Sequence, residues 1–150
     1  MEIDQVQKYL NSIPNINAGG CGISALSIYR WLKKNNKLDD TKFIYLYREK
    51  YRYLNNSSIL KNKNGKPQAP SHIALLYDGQ FIDSSGEIKL TYGWVQIIDE
   101  EEFLKETLNN LNDWNNMFDR NNIPKIEGYL GIDLSDIKKE EVKQDAPISN

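Results

Sequence analysis

The chain has 150 residues, of which 39% are hydrophobic and 11% aromatic, and its nineteen basic and twenty-one acidic side chains leave a formal net charge of -2. That length suits one domain with its own core, and the apolar content excludes a disordered polymer. The near-neutral charge excludes a global field drawing the protein to nucleic acid, so such a role would need a local basic patch.

The opening segment is acidic and amphipathic, unlike a secretory signal, and the longest apolar run, IALLY at 73–77, is too short to span a bilayer. One cysteine, Cys21, cannot form an internal disulfide, which fits a reducing, cytoplasmic setting. No membrane partner is therefore expected.

Val6, Tyr9, Leu10 and Ile13 fall on one helical face, and Pro14 stops that run. After the NINAGG loop at 15–20, Ile23, Ala25, Leu26, Ile28, Tyr29, Trp31 and Leu32 predict a helix apolar around most of its circumference, ended by KKNN at 33–36. Such a helix belongs in the centre of a fold. KFIYLY at 42–47 predicts a strand that either continues through REKYRYL at 48–54 or breaks there, and a polar, Gly/Pro-marked loop follows to residue 70.

Residues 71–86, SHIALLYDGQFIDSSG, carry two β-like runs joined by Asp78-Gly79, a pair suited to the positive φ angles of a two-residue hairpin turn. IKLTYGWVQII at 88–98 predicts one further strand. From Asp99, whose side chain can pair with Glu102 in a capping box, the residues Phe103, Leu104, Leu108, Leu111 and Met117 or Phe118 recur at helical intervals. Residues 123–137 read as a short docking element, giving one domain over 1–137, and 138–150 as a polar C-terminal tail.

The hairpin pattern yields geometry. With Asp78 and Gly79 as turn residues, Tyr77 faces Gln80, Ala74 faces Asp83 and His72 faces Ser85, and period-two alternation puts His72, Ala74, Leu76, Phe81, Asp83 and Ser85 on one face. Asp83 becomes the diagonal neighbour of His72, roughly 7 to 8 Å away at the backbone, a gap that a carboxylate and an imidazole can bridge. Asp83 also has a local use, capping the DSSG turn.

A nucleophilic thiol needs stabilisation of its thiolate, a nearby base and donors for a developing oxyanion. A helix N-terminus at Cys21 provides for the first and third. Gly19, Gly20 and Gly22 keep side chains away from an incoming carbonyl. If helix and hairpin converge, Cys21, His72 and Asp83 take the roles of nucleophile, base and orienter.

NAGGCGISALSIYRWL followed by SHIALLYDGQFIDSSG resembles the papain-like superfamily in its broad sense, especially its NlpC/P60-like and transglutaminase-like branches. More narrowly it is similar to small proteins of phages and mobile elements with a GGCG helix start and an H…DG…DSSG hairpin. The likeness covers roughly residues 15–90. It implies an α+β fold in which a central helix starting at the cysteine packs on a small antiparallel sheet, flanked by N- and C-terminal helices. It also implies Cys21 as nucleophile, His72 as base and Asp83 as orienter. An oxyanion donor is expected six positions before the cysteine, at Asn15, with Asn17 an equal candidate beside the backbone around Gly20 and Cys21. Trp94 is placed to line the cleft.

The expected activity is thiol-dependent acyl chemistry, first of all hydrolysis of a peptide or isopeptide bond in a protein or peptide substrate. Transamidation and deamidation use the same residues. A catalytically silent binding module on the same scaffold is the alternative, and the basic, aromatic run YLYREKYRYLNN at 45–56 offers a weaker nucleic-acid reading. One His and one Cys supply no soft ligand set for zinc, GGCG lacks the Lys-Ser/Thr of a phosphate loop, and no cofactor is expected. Trp31, Trp94 and Trp114 read more readily as packing than as a ligand cage.

Overall fold

A computed structural model describes residues 1–47, 52–54, 70–88, 94–105 and 117–137. Helix α1 spans Ile3–Asn11 and is opened by a backbone N–H of Glu2 donating to Gln5 Oε1 at 2.7 Å. Val6 and Leu10 bury the face that the sequence spacing marks, while Pro14 lies beyond the helix end. Helix α2, Cys21–Lys34, begins at the cysteine. Its residues from Cys21 through Ile28, with Trp31 and Leu32, are all buried, as a helix apolar around its circumference requires.

Strands β1 (Lys42–Tyr47), β2 (Arg52–Leu54), β3 (His72–Tyr77), β4 (Gln80–Asp83), β5 (Gly86–Glu87) and β6 (Trp94–Ile98) form one sheet in the order β2-β6-β1-β3-β4-β5. Five of them pair antiparallel in succession, β6-β1-β3-β4-β5. These five strands make the expected antiparallel sheet, to which β2 is added in parallel beside β6. The continuous strand through 48–54 is thus one of two alternatives that does not occur: β2 is separate, on the far side of β6. Of the run 88–98, Trp94–Ile98 form β6 and 89–93 lie outside the described residues; a two-residue β5 also pairs with β4.

Helix α3, Glu100–Phe103, is capped as predicted by the Asp99 side chain, which accepts from the Glu102 N–H at 2.8 Å. Its expected continuation through Leu108 and Leu111, with Trp114, lies outside the described residues, as do the loop at 55–69 and the tail at 138–150. Met117 and Phe118 form a bend instead of helix; Phe118 is buried and Met117 exposed. A 3-10 turn, Arg120–Asn122, leads into α4, Ile123–Leu130, which ends on Gly131 in the left-handed conformation.

Alternation divides the sheet into two apolar faces. Phe43, Tyr45, Tyr47, Ile73, Leu75, Ile82 and Ile98 belong to the main core with α1, α2 and α4, and Phe43 stacks on Phe103 with ring centroids 4.3 Å apart. Ile44, Leu46, Ala74 and Val95 form a second cluster on the opposite face, joined by Leu76 and Phe81. The result is an α+β fold with helices packed against a sheet and the cysteine at the start of its most buried helix.

The C-terminal segment is fastened to α2 by Arg30. Its guanidinium donates to both carboxylate oxygens of Asp136 at 2.5 Å and to the Asp133 carbonyl at 2.8 Å, with Glu100 3.4 Å from Nε. This fork-to-fork geometry is the one in which arginine binds a carboxylate most strongly. Leu134 and Ile137 are thereby held in the core.

Candidate functional site: a thiol, an imidazole and a carboxylate in series

The β3–β4 hairpin sets the first half of the site. Asp78 and Gly79 have φ of 50° and 77°, the pair of positive angles that matches the twist of the flanking strands. Tyr77 pairs with Gln80, Leu76 with Phe81 and Leu75 with Ile82, the register inferred from sequence. His72 and Asp83 consequently meet across the strands, His72 Nε2 lying 2.8 Å from Asp83 Oδ2 with both residues buried.

Ser85 does not stand opposite His72. Strand β4 ends at Asp83, and Ser84 and Ser85 turn the chain into β5, where Gly86 pairs with Asp83. Ser85 instead donates its backbone N–H, at 2.7 Å, and its hydroxyl to Asp83 Oδ1. The carboxylate therefore serves both the turn and the histidine, one oxygen for each.

Cys21 completes the row. It is buried in the main core, 9% exposed, and lies beside the His72 side chain, near enough to act on its titration. Alternation along β3 assigns His72 to the face of Ala74 and Leu76, away from α2, yet its ring meets the first residue of α2. Two features accompany this. His72 is the first residue of its strand, and the Ser71 N–H donates to the Leu46 carbonyl although Leu46 already stands opposite His72. Two residues facing one is the pattern of a β-bulge, which re-aims side chains locally.

Electrostatics follow from these contacts. Burial disfavours the imidazolium, but hydrogen bonds to Asp83 and to Cys21, with the charges of both, outweigh it and push the His72 pKa up to about 9. For Asp83, burial favours the neutral acid, while His72 and the two Ser85 donors more than offset it and hold the carboxyl below its usual range. At neutral pH the pair is an imidazolium beside a carboxylate.

The remaining predicted positions fall as follows. Gly20 is the N-cap of α2 and offers no side-chain acceptor to its first turn. Its lack of a side chain answers a packing need: a Cβ there would lie 2.7 Å from the Ile16 carbonyl oxygen and 2.7 Å from Phe118 Cδ1. Asn15 is exposed in the left-handed conformation, φ 60°, and its carbonyl accepts from Ala18. Asn17 is exposed, and its amide donates to Ser84 Oγ at 2.8 Å. Trp94 opens β6, its backbone opposite Tyr47 and Arg52.

Several contributors escape sequence reasoning. Gln7 of α1 donates from Nε2 to the Asp83 carbonyl at 2.9 Å, and Ser84, buried, links Asn17 to Asn11. Only the DSSG turn had a local signal; nothing in residues 7–17 points to a hairpin more than sixty positions on. An open cleft of about 570 Å³ lies elsewhere, beside Arg30, Lys33 and Lys34, and is bordered by the ion pairs of Arg30. Among the described residues no group of three or more His, Cys, Asp or Glu is placed to hold a metal ion, and no helix is long and apolar enough to cross a membrane.

No family model, curated protein or solved structure matches this chain. The class that fold and site define is an α+β protein in which a buried thiol at a helix start lies beside a hydrogen-bonded imidazole–carboxylate pair.

Proposed function

We propose that the protein performs thiol-dependent acyl chemistry, with hydrolysis of a peptide or isopeptide bond in a protein or peptide substrate as its reaction. The observation that carries this reading is the nearness of Cys21 to a His72 that is itself bonded to Asp83. His72, an imidazolium at neutral pH, carries the proton given up by the thiol while Cys21 Sγ attacks the acyl carbon. The developing oxyanion is met by the backbone N–H of Cys21 at the start of α2, where the helix dipole favours negative charge. His72 returns its proton to the departing amine, and a water activated by the same ring then cleaves the thioester. An amine in place of that water gives transamidation, and a side-chain carboxamide in place of a peptide bond gives deamidation, so the residues serve each outcome.

The order Cys21, His72, Asp83 and the helix-start position of the thiol also support kinship with the papain-like superfamily. The test is the rate of iodoacetamide alkylation of Cys21 at pH 7 with His72 present and replaced. His72→Ala is expected to slow it by about tenfold or more, and an unchanged rate overturns the proposal.

A second reading, a catalytically silent binding module, is favoured by the burial of Cys21. It requires that Cys21→Ala preserve the biological effect. Loss of that effect with fold and ligand affinity intact eliminates it.

A further inference from the structure

Asp83 is only 7% exposed, an environment that by itself favours the neutral acid. A protonated carboxyl would neither support an imidazolium nor hold one orientation of the ring. Its two oxygens have separate partners: Oδ2 lies 2.8 Å from His72 Nε2, and Oδ1 receives the backbone N–H and the hydroxyl of Ser85. We propose that Ser85 is a positioning residue acting through Asp83: by holding Oδ1 with two donors it turns Oδ2 to His72 and keeps the carboxylate ionised. This role rests on the acyl-transfer reading for its use, though not for its measurement.

The surroundings leave Ser85 as the adjustable part. From β3 the group facing Asp83 is His72, and beyond that ring lies the Cys21 thiol of α2; α1 contributes the neutral amide of Gln7, bonded to the Asp83 carbonyl and not to its carboxylate. Ser85 is exposed at a turn, so truncating it removes a donor without opening a core cavity.

His72 is the sole histidine of the chain, and its ring resonances report the Asp83 charge directly in a proton NMR titration. The acid-side inflection of those resonances, assigned by its absence in Asp83→Asn, marks protonation of the carboxyl. Ser85→Ala and Ser85→Gly are expected to raise it by about one pH unit, since each removes a hydrogen bond to the charged form. Ser85→Thr, which keeps the hydroxyl, is expected to leave it in place. In the unaltered protein the Ser85 amide proton, bonded to the same oxygen, should shift with the same midpoint.

An inflection unmoved in Ser85→Ala, or an Ser85 amide that ignores it, overturns the role. The titrations are repeated on Cys21→Ala, where no nucleophile remains. An alkylation rate that His72→Ala leaves unchanged, with a moved inflection, would count against the acyl chemistry alone, and an unmoved inflection beside a thiol that depends on His72 against Ser85 alone.

Discussion

Replacing Asp83 with asparagine keeps the shape of the side chain and removes its charge. His72 then loses the partner 2.8 Å from Nε2 whose charge and hydrogen bond oppose the cost of burying an imidazolium. An opposite charge at this range moves a pKa by about 1 to 3 units, so a midpoint near 9 should fall to about 7 in Asp83→Asn, with the Cys21 contact retained. At pH 8 the imidazolium population drops from about nine tenths to about one tenth.

The same shift has a stability consequence. His72 titrates higher in the folded chain, at about 9, than its ordinary 6.5, so its stabilisation is complete below pH 6.5 and disappears as pH rises through 9. Two and a half units at about 1.4 kcal/mol each give an upper figure of about 3 to 4 kcal/mol between those limits. Asp83 works in the opposite direction: its carboxyl is held low, so its contribution is present above the ordinary carboxylate range and is lost as pH falls through the lowered value. Proton NMR of the single histidine gives the midpoint, and urea unfolding at pH 6 and pH 10 gives the stability. A His72 midpoint in Asp83→Asn within a few tenths of a unit of the unaltered protein would refute the electrostatic account.

Two further substitutions test the scaffold. Gly20→Ala places a methyl group 2.7 Å from a backbone oxygen and from the Phe118 ring, and should cost about 1 to 3 kcal/mol in urea unfolding; an unchanged midpoint would mean the loop adjusts freely. Arg30→Ala should cost about 1 kcal/mol, because Asp136 is half exposed, and should hasten proteolysis after residue 131; 1 M salt should shrink the difference, and a loss insensitive to salt would assign it to packing.

How far the site could be read in advance depends on chain separation. Asp78-Gly79 and the alternation around it specify the hairpin register, and that register brings Asp83 to His72, eleven residues away. The apolar circumference at 23–32 likewise marks a buried helix beginning near Cys21. By contrast, strict alternation turns His72 away from α2, and only the assembled strand end shows its ring meeting the thiol. Gly20 is a glycine because of Phe118, nearly a hundred positions on, a contact without local signature.

The amino-acid order by itself determined α1, α2, β1, the β3–β4 hairpin with its His72–Asp83 pair and the Asp99 cap, because backbone periodicity and turn preference act over a few residues. Tertiary packing alone decided that Cys21 joins that pair, that β2 runs parallel to β6, and that Gln7 and Asn17 brace the turn after Asp83. The physical reason is that contacts between distant segments depend on how faces are brought together, and a pattern on one face does not name its partner.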